Sequence, residues 1–125
     1  MGQKFLIDTN TLIDFQSKII PQKGFEYVAK AIDDTFIVSF ISYIEFLGYR
    51  NVSLTMENFI ALADVIEINK TIIDQTISLR KAYKIKLPDA IIAATAIVHN
   101  LILLSHNTKD FVNIRRLKIL DPYNI

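Results

Sequence analysis

Lys4-Phe5-Leu6-Ile7-Asp8-Thr9-Asn10-Thr11 sets three consecutive apolar residues against a carboxylate and a run of polar turn formers. A strand covered on one face alternates apolar with polar side chains. One covered on both faces reads as a continuous apolar run, as in parallel sheets flanked by helices. Phe5 to Ile7 therefore predicts a buried strand. Thr9, Asn10 and Thr11 are favourable N-caps for a helix carrying Leu12, Ile13 and Phe15, expected over 11–16. Ligands of open α/β sheets bind beyond the carboxyl ends of the strands, where Asp8 falls. Capping of the helix explains Asp8 equally well on its own. Other carboxylates reaching the same edge decide between the two.

Downstream, Pro21 and Gly24 mark a break, and Phe25, Val28, Ala29 and Ile32 have helical spacing over 25–34. Thr35-Phe36-Ile37-Val38-Ser39 predicts a second strand, with Ser39 or Ser42 capping a helix over 41–50. Glu45 in that helix is flanked by Ile41, Ser42, Gly48 and Tyr49, a setting hard to reconcile with a wet face. A buried Glu45 must be paired with a lysine or bind a metal. A helix follows over 55–66, with Thr55 at its start, then a short strand at 67–69. A further helix spans 70–84, with Ile72, Ile73, Thr76, Ile77 and Leu79 turned inward. Leu87-Pro88-Asp89-Ala90-Ile91-Ile92-Ala93-Ala94-Thr95-Ala96-Ile97-Val98 predicts a buried helix that is apolar all round, with Pro88 in its first turn and Asp89 at its positive end. Leu101-Ile102-Leu103-Leu104 is another fully apolar strand, and Leu117-Lys118-Ile119-Leu120 an edge strand stopped by Asp121-Pro122.

The 125 residues amount to one domain, 1–125, long enough to bury roughly two-thirds of the unfolded surface. Hydrophobic residues make up 51% and the mean hydropathy is +0.31. Some apolar surface is therefore expected to meet a partner or a second copy. The stretch Ala90 to Val98 is broken by Thr95 and falls well short of the ~20 residues of a membrane helix. The opening Met-Gly-Gln-Lys-Phe-Leu lacks a signal-peptide layout, so a soluble cytoplasmic protein is expected. The absence of cysteine excludes disulfides and thiolate sites, leaving oxygen or imidazole to hold any metal. The net charge of +1 points to no partner, but positive charge gathers at Arg80 to Lys86 and Arg115 to Lys118.

Strands alternating with helices imply a parallel sheet with right-handed crossovers, which brings the strand carboxyl ends to one edge. Asp8, Glu45 and Asp89 then converge. Three carboxylates in one cleft repel one another unless a cation neutralises them, and oxygen-only ligation favours Mg²⁺ or Mn²⁺. An open Mg²⁺ site characteristically holds phosphate oxygens and activates water for in-line displacement.

With these acids in place the sequence resembles the PIN-domain ribonuclease family, in particular the VapC-like toxins of type II toxin–antitoxin pairs. The resemblance is carried by Leu6-Ile7-Asp8-Thr9-Asn10, by Ser42-x-x-Glu45, and by Leu87 to Ala96 together with Leu103-Leu104-Ser105-His106-Asn107-Thr108-Lys109-Asp110-Phe111. It implies a three-layer α/β/α fold with a mainly parallel sheet of four to five strands. It also implies a metal-dependent endoribonuclease using Asp8, Glu45 and Asp89 as catalytic and metal-binding residues. Thr9, Asn10 and Ser105 would support them. Where the family often has Thr-x-Asp after the fourth strand, this chain has Ser105-His106-Asn107, so Asn107 or Asp110 is the candidate for a further metal contact. The cofactor expected is Mg²⁺, with Mn²⁺ substituting, and the downstream product should carry a 5′-phosphate. An RNA substrate, a cognate antitoxin in an apolar groove and homodimerisation are implied as well. Lys84, Lys86, Arg115 and Arg116 are the candidates for contacting RNA phosphates. His99 and His106 are assigned no catalytic part.

Two other α/β enzymes fit less well. A phosphoacceptor receiver domain needs an Asp after its middle strand, where this chain has none. Asp8-Thr9-Asn10-Thr11 is similar to the loop of haloacid-dehalogenase-like phosphatases, but Asn10 replaces their acid. The remaining alternative is a PIN-fold module that binds RNA or protein without cutting.

Overall fold

The apolar runs around Phe5–Ile7 and Ile102–Leu104 become short parallel strands with side chains buried on both faces. The computed structural model describes residues 2–125. In β1 (Phe5–Ile7), Leu6 enters one apolar cluster and Ile7 another, and both are fully buried. In β4 (Ile102–Leu104), Leu103 and Leu104 divide in the same way. This is the period-two geometry of a strand with a packed layer on each side.

β1 pairs in parallel with β4, Leu6 opposite Leu103, and β4 with the edge strand β5 (Lys118–Leu120). A second group pairs β2 (Ile37–Ser39) with β3 (Asp64–Ile66), also in parallel. The strands thus form a three-stranded sheet in the order β1-β4-β5 and a two-stranded sheet β2-β3, rather than one sheet of four to five, with β1 and β2 in contact where the two meet. Helices α1 (Thr9–Gln16), α2 (Gln22–Asp34), α3 (Phe40–Leu47), α4 (Leu54–Ile60), α5 (Lys70–Ala82) and α6 (Leu87–Val98) supply the outer layers. Leu12, Val28, Phe46 and Ile60 cover one sheet face. Ile72 and Leu79 of α5 pack with Ala90, Ala93, Ala94 and Ala96 of α6 over the other. The alanines bring α6 close to its neighbours. Its buried Thr95 hydroxyl is satisfied by donating to Ile91 O at 2.7 Å.

Two devices aim the chain at the sheet edge where the carboxylates gather. α6 ends in a Schellman turn, with Asn100 at φ 54°, Leu101 N–H donating to Ala96 O and Asn100 N–H to Ile97 O. This turn feeds β4 directly. Gly24 in α2 lets the C-terminal 3₁₀ turn Pro122–Asn124 dock, since a Cβ there would stand 1.7 Å from Pro122 O.

Several local expectations are corrected. The helix expected over 55–66 stops at Ile60, is capped by Ser53 rather than Thr55, and gives way to β3. The strand expected at 67–69 therefore lies upstream, and Asn69 instead caps α5, accepting from Ile72 N–H at 2.9 Å. Ile73 and Ile77 are exposed, because Ile72, Thr76 and Leu79 alone define the buried stripe. α1 starts at Thr9, with Asp8 as its cap, and α3 is capped by Ser39. Among the described residues no helix is long and apolar enough to cross a membrane.

Candidate active site

Asp8 occupies the junction of β1 and α1 and is only 5% exposed. Its Oδ1 accepts the Thr9 N–H at 2.9 Å and its Oδ2 the Ser105 hydroxyl at 2.7 Å. Asp8 thus caps the helix, and the same carboxylate lines a cleft with Glu45 and Asp89. Burial raises its pKa above the ordinary 3.8, against the hydrogen bonds from Ser105 and Thr9, and the charges of Glu45 and Asp110 push the same way as burial.

Glu45 comes from the second strand–helix junction. The capped start of α3 places Ser42 and Glu45 toward α1, where the Thr9 hydroxyl donates to Glu45 Oε1 at 2.6 Å and lies 3.0 Å from Ser42 Oγ. Glu45 is exposed rather than buried, and the lysine pairing considered for it is not found among the described residues. Its polar partner is Thr9.

Asp89 stands in the first turn of α6, half-buried behind Pro88. Its pKa is pushed up to about 6, first by burial and then by the charges of Asp8, Asp110 and Glu45, with Lys86 opposing. Asp8, Thr9, Glu45 and Asp89 line one cleft together with Asn10, Tyr49 and Asn107. Asp110 lies beside it, in a cavity shared with Asp89 and Lys109, and accepts from Asn107 Nδ2. Asn107 N–H in turn donates to Ser105 Oγ at 3.1 Å, so the loop after β4 is tied to Asp8 through one hydroxyl.

The basic candidates divide. Lys84 and Lys86 line the cavity beside Asp89, whereas Arg115 and Arg116 line a separate cavity between α5 and the segment after Ile114, where Arg116 donates to Gln75. Lys109 and Tyr49 adjoin the acids and escaped sequence reasoning. The polar run Ser105 to Asp110 around Lys109 is visible in the sequence, but its direction is not.

A family model described as the PIN domain matches residues 5–117. The chain belongs to the PIN-domain family. Its structure is similar to a chain of a toxin–antitoxin complex from Klebsiella pneumoniae, with a TM-score of 0.77 and 35% identity over 98% of this chain and 100% of that one. A chain of VapBC-1 from nontypeable Haemophilus influenzae gives a TM-score of 0.75 and 26% identity over 96% and 98% of the two chains. DNA-bound VapBC from Salmonella typhimurium shares the fold, with a TM-score of 0.78 and 24% identity over 97% and 99%. No curated protein matches the chain by sequence. The resemblance to PIN domains of toxin–antitoxin pairs, read from the motifs around Asp8, Glu45 and Asp89, agrees with these likenesses.

The cleft of this PIN domain offers carboxylate, hydroxyl and amide oxygens. Among the described residues no group of three or more acidic or imidazole side chains is placed so that it could hold a metal ion by itself. The acids line an open cleft, and burial, with the charges of the neighbouring acids adding to it, raises the pKa of Asp8 and Asp89. Mg²⁺ is held in this manner, by a few carboxylates with waters retained. Asp8 keeps free lone pairs beyond its two hydrogen bonds, since a carboxylate offers about four acceptor positions.

Proposed function

We propose that this PIN domain is a Mg²⁺-dependent endoribonuclease and the toxin of a VapC-like toxin–antitoxin pair, acting in the cytoplasm. The observation that carries the reading is the convergence of Asp8, Glu45 and Asp89 on one cleft, with Asp110 in the adjoining cavity beside lysines suited to a polyanion. Asp8, Glu45 and Asp89 would hold Mg²⁺ or Mn²⁺, with Asn107 or Asp110 as a further contact. Once bound, the cation supplies charge neutralisation and activation of water.

The geometry supports the remaining parts of the reading. Ser105 and the Thr9 N–H fix Asp8, and the Thr9 hydroxyl fixes Glu45. Lys84, Lys86 and Lys109 contact the RNA backbone on the Asp89 side. Hydrolysis adds water at phosphorus and expels the 3′ oxygen, leaving a 5′-phosphate on the downstream fragment. The likeness to toxin–antitoxin structures supports an antitoxin partner. The exposed Ile44, Leu54 and Leu62 suit coverage by an antitoxin or a second copy in a homodimer.

Purified protein incubated with total and transfer RNA in Mg²⁺ or Mn²⁺ should yield discrete 5′-phosphorylated fragments that vanish with EDTA. RNA left intact under both conditions would replace this reading with that of a non-cutting PIN module.

A further inference from the structure

The acid cleft opens on its other flank into a second cavity of about 570 Å³, bounded by Asn10, Asp14, His106, Asn107, Thr108 and Lys109. Asn10 and Asn107 line both spaces, so the two adjoin. The volume lies within the roughly 300–1,000 Å³ of small-ligand sites. Its chemistry differs from that of the lysine flank. Two amides, a hydroxyl, a carboxylate and an imidazole surround it with a single lysine, a set that reads hydrogen-bonding edges.

The cavity is braced from behind. His106 stacks on Tyr123 with ring centroids 3.9 Å apart and an interplanar angle of 28°. Its Nδ1 lies 3.0 Å from both oxygens of Asp121, which also accepts the Tyr123 N–H at 2.9 Å. The Tyr123 hydroxyl donates to Asp14 Oδ2 at 2.9 Å. His106 and Asp14 are thereby held by one C-terminal turn. The His106 side chain is still 53% exposed, which leaves its other ring nitrogen and outer edge to a ligand.

The geometry points to a nucleobase pocket in which His106, Asp14 and Asn107 read the base next to the scissile phosphate. Single-stranded RNA is recognised by stacking unpaired bases on aromatic rings, histidine included, and by hydrogen bonds to their edges. Asp14 accepts only, so it selects a base edge that presents a donor; Asn10 and Asn107 offer both donor and acceptor. Phosphates on the lysine flank give affinity without sequence information, and this flank supplies the choice of sequence. The inference rests on the ribonuclease reading for the identity of its ligand.

The test uses short single-stranded RNAs carrying the fluorescent base 2-aminopurine at successive positions, bound in EDTA so that no cleavage is needed. Wild type should quench one position, and His106→Ala should lower the affinity for that RNA about tenfold, in line with the loss of one stacked base. Asp14→Asn should change which base is preferred. In parallel, the cleavage sites of a random-sequence RNA in Mg²⁺ should show a base preference at one flanking position that His106→Ala flattens. Quenching that is absent, or unchanged in a folded His106→Ala protein, would overturn the pocket. Positional quenching without cleavage in Mg²⁺ would retain the pocket and remove the nuclease.

Discussion

Ser105 Oγ donates to Asp8 Oδ2 at 2.7 Å, joining residues 97 positions apart. The bond is possible because β1 and β4 are parallel neighbours with Ile7 opposite Leu104, so both chains leave the sheet at the same edge. Asp8 N–H and the Thr11 hydroxyl reinforce the junction by donating to Leu104 O. Ser105→Ala removes a hydrogen bond to a buried carboxylate, with an expected cost of about 2 kcal/mol in denaturant unfolding. Removing such a support should also weaken Mn²⁺ binding by at least about tenfold, measured by calorimetry.

The acid cluster gives the metal-free protein an unusual pH dependence. Asp89 has a pKa pushed up to about 6 from 3.8, and that of Asp8 is raised as well. Within the Asp89 interval the folded chain holds a proton that the unfolded chain has released, so stability falls as pH rises through it. In EDTA, Tm should therefore be higher at pH 5 than at pH 7.5. Mg²⁺ should raise Tm more at pH 7.5, since protons compete with it for the carboxylates. Scanning calorimetry under the four conditions checks both signs.

Asp89→Asn should stabilise the metal-free protein at pH 7.5 while removing RNA cleavage. Two effects oppose at this position: the positive end of α6 favours the carboxylate by about 0.3–1 kcal/mol, while burial and the other acids disfavour it. Burial and the neighbouring acids push its pKa up to about 6, and the second effect is therefore expected to be the larger. A higher denaturant midpoint in EDTA, with a flattened pH dependence, is the expected result.

Gly24→Ala should cost about 1–3 kcal/mol, the usual penalty of overpacking. Its Cβ would meet backbone at Pro122, which cannot rotate away as a side chain does. The C-terminal turn must then shift, taking Tyr123 from Asp14. Thermal unfolding measures the loss, and Gly48→Ala, whose Cβ meets only Ile44 O at 2.9 Å and Glu45 O at 3.9 Å, is a milder comparison.

Much of this architecture was legible because its strands are buried on both faces. Phe5 to Ile7 and Leu101 to Leu104 read as continuous apolar runs, and each stops at a polar residue that lies in the site. Pro88-Asp89 marked the start of α6 and the position of an acid at once. The boundary after Ile60 was not legible: Ala61-Leu62-Ala63 favours helix and contains no glycine or proline, yet pairing with β2 draws Asp64–Ile66 into a strand. Loop direction was equally hidden. Charge runs do not report which cavity a loop faces, so the sequence does not separate Lys109, beside Asp89, from Arg115, which lines another cavity.

The most direct measurement is the rate of RNA cleavage across a Mg²⁺ titration for wild type and for Asp8→Asn, Glu45→Gln and Asp89→Asn. If the three acids form one cation site, wild type should saturate with Mg²⁺. Each folded variant should be slowed by at least about a hundredfold, as for loss of a preorganised charge-stabilising group. Cleavage that is independent of Mg²⁺, or equal in wild type and all three variants, would contradict the account.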